Sequence, residues 1–341
     1  VSPSTKGRLK RQWILALLLF PLLTYGQQRY AFNRGLFGTE FRLILYASSD
    51  SAAQLARRAV DREMDSLNVV MSDYLDGSEI NRLSATAGSG QWVPVSPMLF
   101  GVLQQAMIVA RKSGGLYDPT IGPLSQLWRR AVRRKIFPTK RDIRQTHRIV
   151  GYRHVDLDSA SRSVRLRKRG MRLDVGGIGQ GYAIDRGMQV LQELGIRSAL
   201  LDMGGDILVS DPPPLPGPSG QEQGWRILTG SGPDTTTLLL QHAGITTSGR
   251  EHHYLEQNGK RYSHLLNPRT GLGLLHHATT TVLAPDGTRA DALTKVFSVA
   301  GIKRSKRLIR RYPGVAVWIV ETKGGKTQSW KSPNWPPTKK P

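Results

Sequence analysis

Apolar and polar positions alternate along this chain in a way that changes twice. The block Arg42-Leu-Ile-Leu-Tyr46 reads as a first strand, and from Ser51 to Leu67 apolar residues recur at helical spacing, with Ser51 placed to cap. Pro97 to Ser113 repeats the amphipathic helical pattern. Leu124 to Arg148 is basic and predicts one or two further helices separated at Pro138-Thr139. Val155-Asp-Leu157 and Ser163-Val-Arg-Leu166 flank a polar turn and predict a hairpin. From Met171 the pattern shifts to short strands and glycine loops: a strand over Arg172–Val175, a helix over Tyr182–Leu194, and a strand over Ser198–Leu201. Pro212–Gly224 is a Pro/Gly-rich surface loop. Strands follow at Trp225–Thr229, Thr236–Leu240 and Thr279–Leu283, then helices at Ala290–Ala300 and Lys303–Arg311. No internal repeat and no linker-like break interrupts residues 30–322, so the pattern predicts one α+β domain, followed by a basic, proline-rich and loosely ordered tail over residues 323–341.

Composition adds a compartment. Lys6, Arg8, Lys10 and Arg11 precede the apolar run Trp13–Leu23, and Thr24-Tyr25-Gly26 offers small residues for cleavage. That is the layout of a secretory signal over residues 1–26, cut near Gly26, and the run is too short for the roughly 20 residues that span a bilayer. An uncleaved anchor is the competing reading. Export places the protein in the periplasm or on the outer face of the cytoplasmic membrane. The absence of cysteine excludes disulfides, thiolate metal sites and a lipid-modified N-terminal cysteine. The net charge of +24 suits an anionic membrane surface or acidic partner. Sixteen Lys/Arg lie between Arg129 and Arg172 against three Asp, and a second cluster spans Lys303–Arg311. Neither carries a nucleic-acid reading motif, so nucleic acid is not the expected partner.

Four constellations bear chemistry. The segment Asp174-Val-Gly176-Gly177-Ile-Gly179-Gln180-Gly181-Tyr182 lies between an expected strand and helix, where bare backbone amides suit a pyrophosphate. A Rossmann reading fails on spacing, because Tyr182 stands where the third glycine belongs. Met203-Gly-Gly-Asp206 reads as a turn. Thr247-Ser-Gly249 and Arg261 to Gly271 set His264 among hydroxyls and an arginine, suited to proton and phosphate handling. Ala290-Asp291-Ala-Leu-Thr294-Lys295 places Asp291, Thr294 and Lys295 on one face of a helix start. There Asp291 is either a cap or an oxygen ligand of the kind magnesium takes.

In order, Phe37-Gly-Thr39, Met71–Tyr74 with Ser78–Leu83, Gly115–Leu124, Asp174–Tyr182 with Asp185, Asp202–Asp206, Ser248-Gly249, Ser263–Gly271 and Ala290–Leu293 resemble the ApbE family of flavin transferases across roughly residues 33–320. The resemblance implies a single T-fold-related α+β domain with mixed or antiparallel sheets and flanking helices. It implies FAD in a cleft with Mg²⁺ beside the diphosphate, and transfer of FMN to a threonine hydroxyl of an acceptor flavoprotein with release of AMP. Positions matching the family's flavin and adenine contacts are Phe37, Tyr74, Leu116, Tyr117, Asp118, Asp174, Gln180 and one of Leu265 or Leu266, with Leu266 preferred. The metal is expected at the Gly177 carbonyl, Asp291 and Thr294, and His264 is the expected proton acceptor. Three positions depart from the pattern: Gln180 where Lys is common, Asn267 where Asp is common, and Lys295 where the family places Thr or Ser. An ammonium cannot ligate a cation. Either Asp291, Thr294 and the Gly177 carbonyl suffice for a magnesium site, with Lys295 turned away or helping to hold a phosphate, or the metal is lost and the protein binds FAD with weak or no transfer.

Overall fold

The computed structural model describes residues 27–214, 224–230, 235–249, 254–263, 265–323 and 325–337. The expected export segment, most of the Pro/Gly loop and His264 lie outside the described residues. Among the described residues no helix is long and apolar enough to cross a membrane.

The chain opens with a hairpin, β1 (Gln28–Leu36) and β2 (Thr39–Ala47), closed by Phe37-Gly38 with both residues at positive φ, 50° and 72°. Such a two-residue loop matches the twist of the strands but ordinarily takes Asn-Gly; an aromatic side chain at its first position is strained. Helix α1 (Asp50–Met71) is capped two residues earlier than expected, because Ser49 rather than Ser51 accepts the Ala52 amide. Short α2 (Glu79–Ala85), capped by Ser78, and β3 (Val93–Pro94) follow. Helix α3 spans Pro97–Ser113 as expected, between the Ser96 cap and left-handed Gly114. The basic segment forms α4 (Gly122–Arg134) and α5 (Lys140–His147), the second opened by a Thr139/Asp142 capping box. The expected hairpin is β4 (Val155–Asp158) with β5 (Ser163–Leu166), and β3 adds to its edge.

Arg172–Val175 is not a strand. The amides of Leu173 and Asp174 bond instead to the Ser84 hydroxyl of α2 at 3.1 Å and the Pro119 carbonyl at 2.8 Å, so the segment is stitched to a helix and a loop rather than to a sheet. Helix α6 starts at Gly179 and runs to Glu193, putting Gln180 and Gly181 in its first turn. Strands β6 (Ala199–Met203) and β7 (Asp206–Val209) form a hairpin about Gly204-Gly205. Next come β8 (Trp225–Thr229), β9 (Thr236–Leu240), β10 (Ala243–Ser248), β11 (Tyr254–Gln257), β12 (Lys260–Ser263), β13 (Leu266–Asn267), β14 (Leu272–Gly273) and β15 (His277–Ala284). Helix α7 (Gly287–Leu308) starts before Asp291, which therefore lies in its second turn and not at its start. It is interrupted at Gly301 (φ 64°, ψ 171°), which accounts for the two helices read from the sequence. The tail is not loose at its beginning: β16 (Ala316–Lys323) pairs with β17 (Lys326–Lys331), and Trp335 packs on Trp318.

The main sheet has the order β1-β2-β6-β7-β10-β15-β16-β17, every neighbouring pair antiparallel. Both faces are covered. Leu43 and Leu45 of β2 enter the large core with α1, α6 and α7, while alternate residues Ile44 and Tyr46 join Trp225, Ile227, Leu238 and Leu240 of the separate β8–β9 ribbon. A third cluster joins Leu124 and Trp128 of α4 to Leu255 and Leu266 of the small hairpins. It clasps the 263–273 segment onto α4, and Trp128 Nε1 donates to the Gly271 carbonyl at 2.9 Å.

Candidate functional site

Helices α6 and α7 cross where both are glycine. A β-carbon on Gly181 would lie 2.2 Å from the Gly287 carbonyl oxygen, and one on Gly287 would lie 2.7 Å from Ile184. The close approach lets each helix start be capped by the other's carboxylate. Asp291 Oδ2 accepts the Gly181 amide of α6 at 3.2 Å. Asp185 of α6 accepts the α7 amides of Gly287 at 2.7 Å and Thr288 at 2.8 Å, together with the Thr288 hydroxyl. Burial raises the Asp185 carboxyl to about 6 against the pull of these hydrogen bonds.

Asp291 is fully buried, and its other oxygen, Oδ1, accepts from Lys295 Nζ at 2.7 Å. Lys295 is thus not turned away. Burial draws its ammonium down, but Asp291 and Asp206 outweigh burial and the net direction is up. Asp206, at the start of β7, is raised to about 7, first by burial and then by Asp291. The Lys295 stem lies against the glycine loop: a β-carbon on Gly177 would sit 3.2 Å from Lys295 Cγ and 3.3 Å from the Tyr117 ring. Tyr117 is buried, and its hydroxyl has no hydrogen-bond partner among the described residues. Burial, then the charges of Asp174, Asp291 and Asp118, hold that phenol well above its ordinary value.

A second group flanks the first. Asp174 Oδ1 accepts the Gly176 amide at 2.9 Å, and its Oδ2 lies 3.6 Å from Arg129 of α4. Arg129 also pairs with Asp73 and stacks 4.2 Å over the ring of Tyr74, which is 76% exposed. Arg172 donates to the Asp73 carbonyl and to Asn81 Oδ1. Asp73 is pushed up by burial and by Asp174, opposed by Arg129 and Arg172. A cleft of about 470 Å³ opens beside this group, lined by Tyr74, Gln126, Arg129, Arg130 and Arg133. Another cavity, of about 430 Å³, is lined by Asp185, Asp286, Thr288 and His242 among others, and includes none of Asp174, Gly177, Asp291 or Lys295.

Tyr117, Asp174, Gly177 and Asp291 therefore converge, while the remaining expected site residues are placed variously. Phe37 and Gln180 are half-buried. Leu116 is buried. Asp118 is also buried, its carboxylate accepting from Thr120 and from the Tyr152 amide. Leu266 packs in the α4 cluster. Thr294 is buried, and its hydroxyl donates to the Asp291 carbonyl at 2.7 Å. Lys295, Arg129 and Asp206 carry the local charge. The i,i+4 spacing of Asp291 and Lys295 was visible in the sequence, whereas Arg129 was hidden in a run of like charges.

The donor set does not fit magnesium, which requires oxygens converging at about 2.0–2.1 Å in octahedral geometry. Both Asp291 oxygens are engaged, one by an ammonium, and the Thr294 hydroxyl is turned back onto its own helix. Among the described residues no three His, Cys, Asp or Glu side chains gather to hold a metal.

Comparison with known proteins identifies what this arrangement is similar to. The ApbE family pattern matches residues 37–319. The chain is 29% identical over 303 residues to an FAD:protein FMN transferase of Treponema pallidum, covering 84% of this chain and 82% of the relative. It is 25% identical over 325 residues to the enzyme of that name from Escherichia coli K12, covering 92% and 90%. Its fold superposes on the apo flavinyl transferase ApbE of Pseudomonas stutzeri with TM-score 0.79 at 25% identity, covering 91% of this chain and 96% of that one.

Proposed function

The chain belongs to the ApbE family, and from that premise we propose that it is an FAD:protein FMN transferase acting on a threonine of an acceptor flavoprotein. The observation that carries the reading is the meeting of the glycine-lined start of α6 with Asp291 and Lys295 of α7, beside Asp174 and Tyr117. The amides of Gly176, Ile178, Gly179 and Gly181 are taken by protein acceptors, so a diphosphate at this helix start would rest on the Gly177 and Gln180 amides together with the Lys295 ammonium.

In this reading the threonine hydroxyl oxygen attacks the phosphorus of the FMN half of FAD. A new P–O bond forms, the bond from that phosphorus to the bridging oxygen breaks, and AMP departs with the oxygen. The hydroxyl proton passes to the neutral imidazole of His264, the proton acceptor implied by the family resemblance. Asp174 orients the Gly176 backbone, Arg129 keeps Asp73 and Asp174 together, and Tyr74 offers an exposed ring to a planar heterocycle. Phe37 and Gln180 are half-buried, and their part in holding the flavin is what the family resemblance implies. Leu116, Asp118 and Leu266 are buried, so in this reading they would meet the dinucleotide through backbone rather than side chain. Magnesium, implied by the resemblance, has no step here because Asp291 is already paired with an ammonium. Export, supported by the Lys6–Gly26 pattern, and attraction to an anionic membrane surface, supported by the +24 charge, complete the proposal.

The test is incubation of the purified chain with FAD and an acceptor domain carrying a target threonine. Transfer gives flavin fluorescence that stays with the acceptor through denaturing electrophoresis, a mass gain of one FMN, and AMP in solution. The Lys295–Asp291 contact favours a second reading, an exported FAD holder. Tight FAD retention with neither acceptor labelling nor AMP would establish that one instead.

A further inference from the structure

A buried carboxylate needs a partner, and the usual choices are a metal ion, an ammonium or guanidinium, or several N–H groups. Asp291 has an ammonium at 2.7 Å and one amide at 3.2 Å. The ammonium comes from its own helix one turn later, so it reaches Asp291 without any rearrangement of the backbone. The Lys295 stem and the Tyr117 ring both lie close to Gly177, where an added β-carbon would sit 3.2 Å from Lys295 Cγ and 3.3 Å from the ring. Its side chain keeps 23% of its surface exposed. An ammonium has three N–H donors, and Asp291 uses one. The Thr294 hydroxyl, an alternative oxygen ligand, is committed to the Asp291 carbonyl.

We propose that Lys295 is a cation carried by the chain in the place of a divalent metal ion, so that this protein grips the diphosphate of FAD without magnesium. The diphosphate part rests on the transferase reading; the exclusion of a metal from Asp291 does not. A dication brought to Asp291 would meet a positive charge already at hydrogen-bond distance from its only carboxylate ligand, and would have to expel it. The remaining ammonium donors take phosphate oxygens, with one positive charge acting where a metal would supply two.

The experiment uses the full folded chain freed of metals with EDTA. Mn²⁺ is titrated and followed by the loss of the free-ion electron paramagnetic resonance signal, first without FAD. FAD binding is then measured by flavin fluorescence with EDTA or with excess Mg²⁺. The expected result is no stoichiometric Mn²⁺ site in the wild-type chain, and FAD affinity unchanged within twofold between the two conditions. Lys295→Thr is expected to acquire one Mn²⁺ site, lost again in Lys295→Thr/Asp291→Asn, and to bind FAD at least tenfold more weakly in EDTA than in Mg²⁺. One Mn²⁺ bound by the wild-type chain and abolished by Asp291→Asn would overturn the inference, and this arm needs no folded Lys295 variant. Failure of the FAD-binding part of that reading looks different: the wild-type chain then binds no FAD in either condition, while the Mn²⁺ titration still decides what occupies Asp291.

Discussion

Gly181→Ala tests whether the α6–α7 crossing builds the site. The new methyl carbon would lie 2.2 Å from the Gly287 carbonyl oxygen, 2.6 Å from its carbon and 2.8 Å from Asp291 Cβ. Comfortable carbon contacts are about 3.5–4.0 Å, so the helices must part by about 1 Å. Parting stretches the 3.2 Å bond from the Gly181 amide to Asp291 and strains the Asp185 cap on α7. Overpacking costs about 1–3 kcal/mol and a lost hydrogen bond to a charged group about 1.5–3, against about 1 regained in helix propensity, leaving a net loss of about 2–5 kcal/mol. Gly35→Ala is the control: Gly35 is in β1 with open space around it and an ordinary φ, so its effect should stay within about 0.5 kcal/mol. Urea unfolding followed by tryptophan fluorescence reads both, and FAD titration below the unfolding range reads the site. If Gly181→Ala unfolds at the same urea concentration as Gly35→Ala, the crossing is not tight and the argument from it fails.

Arg129→Leu leaves Asp73 and Asp174 facing each other, so it should lose about 1–2 kcal/mol at pH 8. The loss should shrink as the pH is lowered, because burial and Asp174 already push the Asp73 carboxyl up and removing Arg129 takes away the charge that opposes them; a loss that does not change with pH contradicts the clasp. Asp185, raised to about 6, binds its proton more tightly folded than unfolded. Its contribution, on the order of 3 kcal/mol, is therefore full below about pH 4 and lost as pH rises through about 6. Asp185→Asn should flatten wild-type stability across that window, and an unchanged slope in urea midpoint against pH would count against it. His264→Ala should slow acceptor labelling by about 10²–10⁴ while FAD affinity stays within a few-fold, by acceptor mass spectrometry and fluorescence titration. Undiminished labelling removes His264 from the proton-accepting role.

Where local signals agreed with tertiary demands, the sequence was legible. Ser96, Pro97 and Gly114 bound α3 by capping alone, and Pro138-Thr139 separates α4 from α5 because Thr139 caps the second helix. Other readings failed for identifiable reasons. Met171-Arg-Leu-Asp-Val175 alternates like a strand, but its amides are claimed by Ser84 and Pro119, distant in sequence. The helix read from Ala290 starts earlier, at Gly287, with Gly287 required by the crossing and Asp286 as the cap. Strand β17 was taken for tail because its exposed, basic residues give little apolar signal, and pairing with β16 supplies its order. At the site, the sequence placed Asp291, Thr294 and Lys295 on one face without deciding which would meet the carboxylate. The choice depends on the Thr294 hydroxyl bonding back to its own helix, a short-range preference that leaves the field to Lys295.

The interruption of α7 at Gly301 has a mechanical meaning. A continuous helix of this length is a stiff rod, and any push on its cationic end would be felt at Asp291. Here the second segment starts afresh, with the Ile302 amide donating at 3.0 Å to Glu321, a carboxylate borrowed from the sheet. Glu321 thus anchors the basic half to β16 as a separate lever. A force on Lys303–Arg311 would then pass through Glu321 into the sheet rather than along α7 to the contact between Asp291 and Lys295.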